Sequence, residues 1–278
     1  MAYLGLRKPI IAKMDVNGGY EEPFACGKAI GITVTPNYAE ASLYGDDIQA
    51  EYDKTFNYAD ITLNTTSLPI KAHEVMFGHS TGENGTEIVQ NSNDNQNYIG
   101  MGWVSVEKVD GMTKFIGNFV YKSKFSEPTE DYSTKGENIE YKTPNLSGRS
   151  VALDDGKWKC FDVFETERET LNYLYGKFGK KLGTLTVQSA EGTNAGETQL
   201  TVNPEKEGTN TYFYKTGETV SLPAYNEVCN GLTGWTSWDG SKAITAKTGD
   251  KIVVVEVTAQ DYCARKAGET TVTAKAEE

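Results

Sequence analysis

The stretch EASLYGDDIQAEYDKTFNYADITL, Glu40 to Leu63, decides how this chain is read. It follows GKAIGITVTP, Gly27 to Pro36, where Ile30, Ile32 and Val34 alternate with small or polar residues, the period of a half-buried strand. Tyr58, Ile61 and Leu63 repeat that alternation less cleanly at the far end. Between them, Asp46 and Asp47 stand beside Gly45, and adjacent carboxylates in a Gly-containing segment usually belong to a loop. The next segment, SLPIKAHEVMFG, Ser67 to Gly78, predicts a short helix. Pro69 is tolerated in its first turn, where no donor is lost, and Gly78 ends it.

Working outward, Tyr98 to Val109 and Met112 to Phe125 flank Asp110-Gly111, a strong two-residue hairpin signal. Val151 to Phe164 reads as another hairpin, turned at Asp154-Asp155-Gly156. FETERETLNYLYGKFGKK then predicts a helix. Thr166 and Glu169 have capping-box spacing, Leu171, Leu174, Tyr175 and Phe178 form one apolar stripe, and Gly179 supplies the stop. Beyond it the helical period vanishes, which places a domain border near Lys180 and predicts domains 1–180 and 181–278. TLTV, QLTV, YFYK, TVSL, KAITA, KIVVVEV and TTVTAK give seven short strands in the second domain, the pattern of an immunoglobulin-like antiparallel β-sandwich.

Composition supports a mainly β chain with a real core. The 278 residues are 38% hydrophobic and 11% aromatic, with 28 Gly for tight turns. Net charge is −12, shared as 18 basic and 26 acidic residues in 1–180 and 9 and 13 in the remainder. Neither half suits phosphate binding, which needs Lys and Arg to displace counterions. Cys26, Cys160, Cys229 and Cys263 are scattered without a CxxC pair and read as small, partly buried residues of a reduced protein; spacing alone assigns no Cys229–Cys263 disulfide. MAYLGLRKPIIAKMD has no apolar run long enough for a signal peptide, and no segment approaches a membrane span.

The chain is poor in chemical motifs. His73 and His79, six residues apart, do not share a helix face as paired ligands and read as surface or loop residues. NSNDNQN, Asn91 to Asn97, has the oxygen-rich start of a calcium loop but lacks its sixth-position Gly and distant Glu, so it reads as a solvated turn. No nucleophile elbow, phosphate loop or dinucleotide fingerprint occurs. The expectation is therefore no catalytic residue, no metal and no cofactor. Trp235 and Trp238, in GLTGWTSWDG, form a candidate surface aromatic site; the competing reading buries at least one of them in the sandwich.

Taken with FSEPTEDYSTKGENIEYKTPNLSG, Phe125 to Gly148, the Glu40–Leu63 stretch resembles the major tail proteins (tail tube proteins) of long-tailed phages and prophages of Gram-positive bacteria. The similarity covers roughly residues 1 to 180. It implies a tail-tube fold of two packed antiparallel sheets with a flanking α-helix, the Ser67–Phe77 segment matching that helix. It also implies a structural virion protein whose homohexameric rings stack into a tube, the conduit for genome delivery. The implied partners are further copies of the chain, the tape-measure protein and the tail terminator and distal tail proteins, with DNA passing through without specific binding and no membrane contact. The implied location is the virion tail, assembled in the host cytoplasm. By position, Leu43, Tyr44, Asp46 and Asp47 fall in the long loop between two lumenal strands that contacts a neighbouring subunit or ring, Leu43 and Tyr44 as apolar anchors. The second domain is more weakly similar to β-domains that decorate tail tubes. A carbohydrate-binding or adhesive surface β-sandwich using Trp235 and Trp238 is the alternative, and a hydrolase a distant third.

Overall fold

β-Structure dominates, as the Thr-, Tyr- and Val-rich composition leads one to expect, in several antiparallel sheets with two short helices. The computed structural model describes residues 3–109, 111–134 and 141–276. Asp110 and residues 135–140 of the Phe125–Gly148 segment lie outside the described residues. Two compact units divide the chain, Met1–Gly179 and Lys180–Glu278.

In the first unit, β1 (Tyr3–Lys13), β2 (Phe24–Ala25), β3 (Ala29–Gly45), β4 (Ile48–Thr65), β7 (Ile99–Val109), β8 (Met112–Phe125), β9 (Asn145–Ser150) and β10 (Lys159–Phe164) form one antiparallel sheet. β5 (Ser80–Thr81) and β6 (Ile88–Val89) make a separate small hairpin. The order is β2-β1-β7-β8-β9-β4-β3, with β10 also on β8. The two separate sheets expected from sequence are thus joined by hydrogen bonds, because Ser123–Phe125 of β8 pair with Gly148–Ser150 of β9. The two arms of the sheet on either side of that joint share one core, while its terminal strands β2 and β3 do not pair with each other. Ile61 and Leu63 of β4 share a core with Ile11 of β1, Met101 and Trp103 of β7 and Val120 of β8. The expected Val151–Phe164 hairpin is also corrected. β9 and β10 do not pair with each other but take successive stretches of the same edge of β8, Phe115–Val120 going to β10.

Two helical segments seal this sheet. The first begins as α1 (Ile70–Ala72), widens into a π-turn over His73–Phe77, and stops at Gly78, which sits in the left-handed region at φ 78°. Ala72, Val75, Met76 and Phe77 enter the core between the arms. The second, α2 (Glu167–Lys177), has the capping box expected at Thr166 and Glu169 and buries Thr170, Leu171, Leu174 and Tyr175. It lies on the opposite face of β7 and β8. Glycine is required there, since a Cβ at Gly102 or Gly117 would meet Leu174 Cδ2 at 3.1 Å or Tyr173 Cδ1 at 2.8 Å. β7 is consequently buried on both faces up to Glu107.

The second unit pairs β11 (Gly183–Thr184), β14 (Thr211–Gly217), β15 (Thr236–Trp238), β17 (Lys251–Val257) and β18 (Ala264–Thr271) in the order β11-β18-β17-β14-β15. A second sheet holds β12 (Thr186–Glu191), β13 (Glu197–Asn203) and β16 (Ile244–Thr245). Leu200, Tyr212, Ile252 and Val254 fill the space between the sheets. The outer face of the five-stranded sheet is covered as well, by Leu182, Val220, Leu222, Cys229 and Trp235 against Phe213, Val253 and Val255. The uninterrupted apolar run of KIVVVEV reflects this double burial. TVSL, Thr219 to Leu222, is not a strand; its Val220 and Leu222 belong to that covering segment. Among the described residues no helix is long and apolar enough to cross a membrane.

Candidate functional site

Leu43, Tyr44, Asp46 and Asp47 do not lie in a long loop. β3 and β4 stay paired as one hairpin to its end, with register shifts at Asn37/Tyr38 and Leu43/Tyr44, Gly45 lying opposite Ile48, and the connection is Asp46-Asp47 alone. Both aspartates have positive φ, 50° and 62°, the geometry of the two-residue turn that matches strand twist. Aspartate tolerates that conformation better than most side chains. The apparent loop is therefore strand, and its polarity has another cause. β9 supports β4 only over Ala59–Asn64, so from Ile48 to Tyr58 β4 has β3 as its sole strand partner among the described residues. At about 3.4 Å per residue this is a two-stranded ribbon roughly 35 Å long.

The ribbon's root is fixed by a clamp. Arg149 of β9 donates from Nε and Nη2 to Asp60 Oδ1 at 3.1 and 3.0 Å and lies 3.6 Å from the Tyr58 ring centroid. Asn37 Nδ2 donates to the other Asp60 oxygen at 3.1 Å. Beyond the clamp the register gives the two faces different chemistry. One carries Tyr38, Glu40 and Ser42 opposite Phe56, Lys54 and Tyr52. There Lys54 pairs with Glu40 at 2.6 Å and sits over Tyr38, holding the Glu40 carboxyl below its ordinary pKa. Phe56 stacks on Trp158 with ring centroids 4.7 Å apart. The other face sets Ala39, Ala41 and Leu43 against Thr55, Asp53 and Glu51. At the tip, Leu43, Tyr44 and Ile48 are 60%, 66% and 70% exposed. An isolated two-stranded ribbon is marginal in water, and this one also exposes three large apolar side chains at its tip.

Sequence reasoning missed a second feature, an open cleft of about 500 Å³ between β3 and the β1-β7-β8-β10 face. Ile30, Ile32 and Val34 line one wall; Leu6, Trp103 and Lys159 line the other. The Lys159 ammonium lies 5.7 Å from the Trp103 ring centroid, and burial lowers its pKa. Among the described residues it has no carboxylate within ion-pair distance. Asn118 and Ser105, bonded to each other at 2.9 Å, form the floor. The signal was present in the alternation around Ile30, but a single strand does not reveal that its facing wall stands back.

The other residues singled out from sequence fall elsewhere. Trp235 and Trp238 are each only 7% exposed, so they offer no surface stacking platform. They lie on opposite faces of the five-stranded sheet. Trp238 packs with Tyr212 and donates Nε1–H to Lys242 O at 2.8 Å, while Trp235 belongs to the outer cluster. His79 is buried rather than superficial and contacts Glu127 at 3.0 Å. The π-turn and the reversal at Gly78 bring its ring within 5.6 Å of His73, a pairing that helical spacing does not predict. Asn91–Asn97 caps that segment, with Asn97 Nδ2 donating to Glu74 O and Val75 O. All four cysteines are free thiols, and burial pushes Cys26 and Cys229 up to about 12. Among the described residues no group of three or more His, Cys, Asp or Glu side chains is placed to hold a metal ion.

Comparison with known families matches residues 190–275 to the S-layer protein SbsC C-terminal domain. The match lies wholly within the second unit and runs from the end of β12 past β18. No curated protein matches the chain.

Proposed function

We propose that the chain is a self-assembling structural subunit whose first unit polymerises, as stacked hexameric rings, into a phage tail tube, and whose second unit is displayed on the outside of that assembly. The β3–β4 ribbon carries this reading. It projects far beyond the supporting sheet and ends in exposed Leu43, Tyr44 and Ile48. β3 also leaves one edge unpaired along all 17 residues among those described, and β10 leaves an edge open beside exposed Phe161 and Val163. Such edges invite aggregation in a monomer and serve as joints in an assembly. The sequence resemblance over residues 1 to 180 selects the tube among assemblies. Tape-measure, terminator and distal tail proteins are the partners this reading requires.

A second reading is favoured by the family match, which associates the second unit with a cell-surface layer protein. In it the chain is an adhesive or cell-envelope β-protein, and its binding surface must lie elsewhere than at the buried Trp235 and Trp238. Negative-stain microscopy of the purified chain separates the two. Hollow tubes or six-membered rings support the first. Planar lattices, or monomers that sediment with cell-wall polysaccharide, support the second and overturn the first.

A further inference from the structure

The ribbon tip and the cleft are both incomplete, and their deficits are opposite. The cleft is walled by apolar side chains and holds a half-buried lysine with no carboxylate partner among the described residues. The tip is apolar at Leu43, Tyr44 and Ile48 and anionic at Asp46 and Asp47, neither of which is engaged in an ion pair among the described residues. From Pro36 to Tyr58 the hairpin carries five carboxylates and one lysine, and that lysine is already paired with Glu40.

A chain cannot satisfy its own cleft. Val34 lines the cleft and Leu43 lies near the tip of the same extended strand, so about 30 Å of strand holds them apart. We propose that the cleft receives the β3–β4 turn of a second copy of this chain. Leu43 and Tyr44 of the incoming turn pack against Ile30, Ile32 and Trp103, and an Asp46 or Asp47 carboxylate meets the Lys159 ammonium. Pairing removes the cost of keeping that ammonium half-buried and uncompensated. The cleft's volume lies within the roughly 300–1,000 Å³ typical of pockets that enclose a ligand, room enough for two such side chains. Because donor and acceptor are different surfaces, the contact is head-to-tail. Each copy gives one turn and receives one, which closes a ring or extends a filament but does not make a closed two-fold dimer. The inference rests on the assembly reading above and adds to it the receptor for the ribbon and the charge pair that sets its register.

The test is a charge exchange in the full-length protein, read by sedimentation velocity under conditions where the parent assembles. Lys159→Glu alone, and Asp47→Lys alone, each lower the assembled fraction about tenfold or more. The combined Lys159→Glu, Asp47→Lys variant returns to near the parent level. A second arm does not depend on tolerance at Lys159. With the partly buried native Cys160 and Cys263 replaced by Ser, Tyr44→Cys with Ile30→Cys, both at exposed positions, gives a ladder of covalent oligomers on mild oxidation, while either added cysteine alone does not. Full assembly by Lys159→Glu, or no ladder from the cysteine pair in assembled protein, overturns the cleft as receptor and leaves the tube reading standing. A parent chain that stays monomeric at every concentration and salt overturns both.

Discussion

The two units handle their exposed strands in opposite ways. In the second, the five-stranded sheet ends in strands of two and three residues, both its faces are covered, and both tryptophans are inside. Its buried carboxylate is held at both oxygens: Glu256 Oε1 accepts from Glu207 N and Asn210 Nδ2, and Oε2 has no hydrogen bond among the described residues but lies 3.2 Å from Lys266 Nζ. The first unit also buries a core yet leaves a 17-residue strand edge, a ribbon with an apolar tip and an open cleft. The second unit covers most of its large apolar side chains, Leu232 being the main exception, whereas the first leaves its ribbon tip and the Phe161–Val163 edge in solvent. On the proposed reading the first unit polymerises and the second is displayed.

The most demanding test of that contrast is to divide the chain between Gly179 and Lys180. Residues 180–278 are expected to melt as a monomer at a temperature independent of concentration. Residues 1–179 are expected to assemble as the whole chain does, since mass action stabilises only what associates. Failure of soluble, folded 1–179 to assemble would move part of the interface into the second unit. Next in size is a pair of aromatic truncations. Trp238→Ala removes a side chain wedged against Tyr212 and its bond to Lys242 O, and should cost about 3–5 kcal/mol in denaturant melts. Tyr44→Ala should change folding stability by no more than about 0.5 kcal/mol while lowering assembly, because the ring is mostly in solvent. Equal destabilisation by the two would erase the distinction. A replacement that keeps the turn, Asp46→Asn with Asp47→Gly, removes both charges in a conformation those residues favour, and so separates charge from turn geometry.

How much was legible in sequence depends on how local the cause is. α2 could be read because its cap, stripe and stop lie within one short segment. Thr166→Ala is accordingly expected to cost about 1 kcal/mol, detectable as a shift in the urea midpoint of the first unit. The ribbon could not be read past Pro36. Asn37 to Tyr58 is too polar to alternate, and its strand character comes from pairing across the hairpin and from the Arg149–Asp60 clamp, which joins residues 89 positions apart. The same holds for the tryptophans. TSW suits a strand, but which face is covered depends on β14, β17 and the segment near Val220. Val151–Phe164 read as a hairpin because two strand-like runs flanked a turn; the common partner of β9 and β10, β8, ends about 20 residues before the first of them begins, where spacing carries no information.

The smallest expected effect lies in the histidine pair of the first unit, where the second unit has no counterpart because both histidines precede Lys180. Burial lowers the pKa of His73, the neighbouring His79 lowers it further, and Glu130 and Glu127 only partly oppose this. Its folded pKa is therefore below the ordinary 6.5. Between those two values the unfolded chain holds a proton that the folded one lacks, so unfolding takes up a proton and stability falls as pH drops through that window. Above about pH 6.5 neither state is protonated and the contribution is flat. Among the described residues His73 Nδ1 is buried without a hydrogen-bond partner, and its ring lies edge-on to Phe77, so His73→Phe forfeits no bond seen at that nitrogen. Paired urea melts at pH 7.5 and 5.5 should show the parent losing more stability than His73→Phe, by a small margin because solvent screens the partly exposed ring. Residues 180–278 alone should show no such histidine-dependent loss. A parent that gains stability on acidification relative to the variant would mean that the glutamates, and not burial, govern His73, and that this part of the first unit is held together by charge.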